Sequence, residues 1–135
     1  MGESICCDDF VKRCQDELGA TAVILFGSRA TGDYLFDSDI DICVIAQRFS
    51  KMTRKERIDA CLRLWDGPVA LEPIALTPDE LLAADRPLVW EILATGVPLV
   101  EDTAWFQGRE KLAELIERNT LLRVPGGWDV RSAKG

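Results

Sequence analysis

Histidine is absent from all 135 residues of this chain. Ser-His-Asp and Cys-His catalysis are thereby excluded. The five cysteines are odd in number and show no repeated C-x-x-C, so neither a disulfide framework nor a zinc site fits. Cys7, Cys14, Cys43 and Cys61 fall in apolar patterns, as buried free thiols do. No run approaches the ~20 apolar residues of a membrane span, and no positively charged leader with an apolar centre is present. A cytoplasmic protein without a membrane partner is expected. Basic charge is also short, with 16 Lys and Arg against 23 Asp and Glu, a net charge of −7. Extensive nucleic-acid binding is not expected from such a balance. Carboxylates with metal ions are the remaining route to transfer or hydrolytic chemistry.

What is present centres on Leu25–Ile45, LFGSRATGDYLFDSDIDICVI. An apolar strand enters a Gly-Ser turn that opens a short helix. A polar loop follows, then a strand bearing Asp39 and Asp41. Side chains two apart on a strand share a face, about 6.6 Å apart at Cα. Two carboxylates about 5 Å apart repel by roughly 3 kcal/mol at an effective dielectric near 20, so cations are needed to hold them together. Ile40, Ile42 and Val44 make the opposite face apolar. At the turn, backbone N–H groups of a helix start can bind phosphate. Gly27 permits close approach, Ser28 adds a hydroxyl and Arg29 a fork of donors. Phosphate beside carboxylates makes joint sense with Mg²⁺ or Mn²⁺ between them.

Gly27-Ser28-Arg29, then Gly32, then Ser38-Asp39-x-Asp41 resembles the signature of the DNA polymerase β-like nucleotidyltransferase superfamily. More narrowly it resembles the small MNT-domain (minimal nucleotidyltransferase) proteins paired with HEPN-domain proteins. The resemblance covers about Val23 to Val100. It implies a nucleotidyltransferase fold, with Gly27 and Ser28 holding the β- and γ-phosphates of ATP, helped by Arg29 and Ser38. Asp39 and Asp41 would bind two Mg²⁺ ions, with Mn²⁺ as the alternative. Glu72, in the segment VALEPIAL, matches the family's third carboxylate by position. It would complete the site and take the acceptor's proton. Two departures stand out: the position is more often Asp, and Pro73 confines this part of the strand to an edge or bulge. A solvated surface Glu is the alternative.

Along the rest of the chain, Cys7, Phe10, Val11, Cys14 and Leu18 recur at helical spacing over about Ser4–Leu18, closed by Gly19. Thr21–Phe26 reads as a strand buried on both faces. Thr31–Asp37 is a loop in which Tyr34, Leu35 and Phe36 are expected to pack down, with facing a ligand as the alternative. Thr53 to Glu56 and Thr77 to Glu80 fit capping boxes. The first opens a helix with Ile58, Cys61, Leu62 and Trp65 on one face. The basic cluster Arg48, Lys51, Arg54, Lys55 and Arg57 lies at its start, read either as a solvated face or as a contact to an acidic partner or phosphate. Val69–Leu76 reads as a strand, Pro87–Thr95 as a helix stopped by Gly96 and Pro98, and Thr103–Asn119 as an amphipathic helix with Trp105, Leu112, Leu115 and Ile116 on one side. Residues 121–135 read as a mobile or partner-docked tail behind a domain spanning 1–120.

Strands alternating with helices indicate an α/β fold, a mixed sheet flanked by helices in one domain, with residues enough for a single two-layer core. The resemblance implies an enzyme that moves AMP from ATP to a hydroxyl acceptor and releases pyrophosphate. Its relatives point to an antitoxin that AMPylates a HEPN ribonuclease toxin. An aminoglycoside-type adenylyltransferase and a non-catalytic nucleotide-sensing module that occludes a partner are the alternatives. Homo-oligomerisation is left open by these residues.

Overall fold

Phe10, Cys14 and Leu18 recur every fourth residue and are all buried. They fix the face that α1 (Asp8–Arg13) and the π-helical turn after it (Cys14–Leu18) lay on the sheet. Gly19 ends the run in the left-handed region at φ 68°, the cap expected of it. The computed structural model describes residues 7–27, 30, 32 and 39–131. The expected packing of Tyr34, Leu35 and Phe36 lies outside those residues.

One sheet forms in the order β3-β2-β1-β4, from β1 (Ala22–Phe26), β2 (Ile40–Ile45), β3 (Leu71–Leu76) and β4 (Val97–Val100). β1 runs antiparallel to β2 and β4, and β2 is parallel to β3, so the sheet is mixed. A parallel neighbour needs a crossover, which a 3-10 turn (Gln47–Lys51) and α2 (Arg54–Arg63) supply. Both predicted capping boxes are present, Thr53 with Glu56 at the start of α2 and Thr77 with Glu80 at the start of α3 (Pro78–Ala83). α4 (Pro87–Thr95) and α5 (Thr103–Glu117) follow.

The core is not one two-layer cluster. β1 and β2 carry apolar side chains on both faces, so each face must be covered. Val23, Ile40, Ile42 and Val44 pack with Phe10, Phe49 and Cys61 on the α1–α2 side. Ile24, Cys43 and Ile45 pack with Leu81, Trp90, Leu93 and Trp105 on the α3–α5 side. Burial pushes the Cys14 and Cys61 thiols up to about 12, aided at Cys14 by Cys61, and moves Cys43 the same way. These three are free thiols acting as small hydrophobes. Among the described residues no helix is long and apolar enough to cross a membrane.

Several elements differ from expectation. Gly96 and Pro98 do more than stop a helix, because Val97–Val100 adds an edge strand with a register shift where it meets Val23 and Ile24. That irregularity is where an edge tolerates proline. Leu62 and Ile116 point outward, at 42% and 40% exposure, because the buried stripes of α2 and α5 run through Cys61 and Leu112 instead. Within the segment read as a mobile or partner-docked tail, Leu121–Val124 (β5) and Gly127–Val130 (β6) form an antiparallel hairpin. Leu121 is fully buried. Trp128 meets Trp90 edge-on at 6.0 Å, and its indole N–H donates to Glu91 Oε1 at 3.1 Å.

Candidate functional site

Register, more than any loop, assembles the acidic cluster. Phe26 on β1, Asp41 on β2 and Glu72 on β3 lie in one row across three strands. Strand alternation puts Asp41 on the same face as Cys43 and Ile45, the face that α3–α5 cover. The acidic character is confined to the end of that face, since beyond Asp41 the strand continues apolar. Asp39, one residue ahead of β2, is exposed, as is Glu72, while Asp41 is half-buried.

The three carboxylates meet. Glu72 reaches hydrogen-bonding range of both Asp39 and Asp41, and sharing a proton with them raises its pKa above the ordinary carboxylate value. Their negative charges push it further in the same direction. At Asp41, burial raises the pKa, the hydrogen bond from Glu72 opposes, and the charge on Asp39 adds to the rise. The direction at both groups is upward, led by burial at Asp41 and by the shared proton at Glu72, with like charge adding at each.

Pro73 proves compatible with Glu72's position. Ala70 accepts from the Ile40 amide at 2.9 Å and Leu76 from the Ala46 amide at 3.0 Å. Even-numbered residues of β3 therefore face β2, and Pro73 sits where its missing donor would point away from the sheet. β3 is an edge strand, as the proline requires.

Gly27 follows β1 at φ 77°, a conformation that glycine adopts without strain. A Cβ at this position would collide with the Asp41 carboxylate. The turn thus lies directly against the acidic row, and its carbonyl accepts from the Ala30 amide at 3.1 Å. Sequence reasoning assigned Gly27 to phosphate approach and missed this second constraint. The signal, a glycine just past the strand position opposite an aspartate, is readable only once the register is known. Ser28, Arg29 and Ser38 lie outside the described residues.

The donor set is all oxygen, which suits Mg²⁺ or Mn²⁺ and not zinc. Among the described residues, no three acidic or thiol side chains are already placed to hold a metal ion together. Mg²⁺ commonly takes one or two carboxylates and completes its shell with water and substrate phosphates.

Comparison with known proteins gives a consistent result. The family model described as a nucleotidyltransferase domain matches residues 7–93. A candidate protein adenylyltransferase of Methanocaldococcus jannaschii is 31% identical over 120 residues, covering 82% of this chain and 81% of that one. A crystal structure of a toxin-antitoxin with AMP-PNP has the same fold at a TM-score of 0.58 and 18% identity, covering 84% of this chain and 88% of its own. A mutant of the toxin-antitoxin MntA-HpeT gives 0.59 and 17%, covering 87% and 90%. These two speak to the fold: the mixed sheet flanked by helices is the nucleotidyltransferase fold. By sequence and by fold alike, the chain belongs to the nucleotidyltransferase domain family and is a nucleotidyl-transferring enzyme.

Proposed function

We propose that the chain transfers AMP from ATP to a hydroxyl on a partner protein, a HEPN ribonuclease toxin that it neutralises as an antitoxin. The observation that carries the chemistry is the convergence of Asp39, Asp41 and Glu72 beside the Gly27 turn. The acceptor oxygen attacks the α-phosphorus, the bond from that phosphorus to the bridging oxygen breaks, and pyrophosphate leaves. Glu72, level with Asp41 in the acidic row, is the base that takes the hydroxyl proton. Asp39, Asp41 and Glu72 would hold the divalent cations, two Mg²⁺ or Mn²⁺ ions. When bound, those ions lower the pKa of the acceptor hydroxyl and offset charge on the departing pyrophosphate. The turn at Gly27 brings backbone close to the row, and Ser28, Arg29 and Ser38 are assigned to the triphosphate from sequence. Protein as acceptor is supported by the adenylyltransferase relative, and the HEPN partner by the family resemblance and the toxin-antitoxin neighbours. The cytoplasm is the compartment that such a toxin partner implies.

The test incubates the protein with α-labelled ATP, Mg²⁺ and a neighbour-encoded HEPN protein, then repeats with Asp39→Ala plus Asp41→Ala. Label on the partner that disappears in the double variant is the expected result. Complex formation without label in either case would instead establish a non-catalytic module. Label on aminoglycosides and none on protein would move the acceptor to small molecules.

A further inference from the structure

A cavity of about 270 Å³ straddles the free edge of β3, and three arginines, Arg54, Arg57 and Arg86, line it together with Glu80. This is positive charge gathered in one place on a chain whose net charge is −7. The basic cluster at the start of α2 resolves into separate tasks. Arg48 donates to the Glu17 carbonyl and Lys55 pairs with Asp59. Arg57, only 16% exposed, donates to the Ala75 carbonyl at 3.1 Å and bridges to Glu80 at 2.8 Å, so it is a wall of the groove. Arg54 and Arg86 are exposed, and neither forms an ion pair among the described residues. The same groove has apolar lining from Met52, Ile58, Ile74 and Leu88.

We propose that this groove seats an extended acidic segment of the acceptor protein, with carboxylates at Arg54 and Arg86 and an apolar side chain between them. Its role in presenting the acceptor rests on the protein-transfer reading above; the binding of the segment does not. Position supports it, because Pro73 lines the groove and directly follows Glu72. A chain lying in the groove is thus led to the acidic row. Strand addition is not the mode of binding: Pro73 has no N–H and the Ala75 carbonyl is already taken by Arg57. Recognition falls to side chains. An RNA strand is the poorer occupant, since its dense backbone charge meets the field of an acidic protein, whereas a peptide can match two arginines and an apolar wall.

The probe is a fluorescein-labelled decapeptide of alternating Glu and Val, read by anisotropy against the full chain. Binding is expected to weaken by about tenfold in Arg54→Glu plus Arg86→Glu, equivalent to ~1.4 kcal/mol, and to return in Arg54→Lys plus Arg86→Lys. The rise in melting temperature with Mg²⁺ and ATP should be the same in wild type and variants. If Arg86→Glu fails to fold, Arg54→Glu with Leu88→Asp reads the same groove. Equal binding of the acidic peptide by wild type and charge-reversed protein would overturn the proposal. So would equal binding of a Lys-Val decapeptide, or tighter binding of a ten-residue oligouridine. If arginine-dependent peptide binding is found but wild type neither responds to Mg²⁺ and ATP nor labels a protein, the transfer reading fails and the groove stands.

Discussion

At the scale of single residues, the site is a concentration of like charge that the fold tolerates rather than favours. Asp39 and Asp41 stand two apart, the spacing that strand alternation puts on one face, and that much is legible locally in the sequence, although β2 itself begins at Ile40. Glu72 is different. Its register with Asp41 depends on how β3 docks beside β2, which no local pattern encodes, and only the family resemblance singled it out. Gly27 is legible as a turn but not as the neighbour of Asp41. The crowding has a measurable consequence. A carboxylate whose folded pKa is raised weakens the fold above its folded pKa, and the penalty disappears as pH falls below the ordinary carboxylate range. Glu72→Gln should therefore raise the melting temperature of the metal-free protein at pH 7, by ~2 °C for a gain of about 0.5 kcal/mol at this exposed position. Below about pH 3.5 the difference should vanish, because Glu72 is then protonated in both states. Added Mg²⁺ and ATP should stabilise the variant less than the wild type. Scanning calorimetry across pH, with and without Mg²⁺ and ATP, checks all three, and a variant that melts lower at pH 7 would remove the charge crowding from the account.

At the scale of elements, signals confined to a few residues are the ones the sequence exposes. Both capping boxes were readable because donor and acceptor sit three residues apart. Strand β4 was not, since a four-residue strand containing Pro98 is defined by its pairing with β1. The second capping box also does something a local reading cannot show. Glu80 Oε1 accepts from the Thr77 amide at 2.8 Å while the Arg57 guanidinium grips both carboxylate oxygens at 2.8 and 3.3 Å. One carboxylate thus caps α3 and ties it to α2 and, through the Ala75 carbonyl, to β3. Burial would raise the Glu80 pKa, but the hydrogen bonds from Arg57 and Thr77 and the charges of Arg57 and Arg86 outweigh it, and the net direction is down. A depressed carboxylate contributes stability above its unfolded pKa and loses it as pH falls through the folded one. Glu80→Gln keeps an acceptor for the capping box and removes only the charge. It should cost about 0.5–1 kcal/mol at pH 7, held to that range by the partial exposure of Glu80, and nothing at pH values below the depressed pKa. Urea unfolding at several pH values reads this directly. A cost that persists unchanged into acid would show that lost cap geometry, and not the ion pair, is responsible.

For the molecule as a whole, the question is where the folded unit ends. The segment LLRVPGGWDV looked patternless because each strand is four residues long and its Pro-Gly turn is a weak hairpin signal. Pro125 and Gly126, the latter at φ 87°, follow the type II pattern, which matches strand twist poorly. What holds the hairpin is contact with α4, far away in sequence. Glu91 accepts from Trp128 Nε1 at 3.1 Å and from Arg123 Nη2 at 2.9 Å, and the Arg123 guanidinium lies 5.1 Å from the Trp128 ring centre. Leu121, at 1% exposure, belongs to the same cluster as Trp90, Leu112 and Trp105. A chain ending at Thr120 should therefore lose about 3 kcal/mol or more, chiefly the cost of emptying a buried leucine site, with roughly 1 kcal/mol further from the Trp90–Trp128 contact. The urea midpoint should fall accordingly in a single transition, and Leu121→Ala alone should reproduce most of the drop. Trp128→Ala should reproduce the smaller part. A truncated chain that unfolds at the wild-type midpoint would make the hairpin an independent appendage and return the boundary of the folded unit to residue 120.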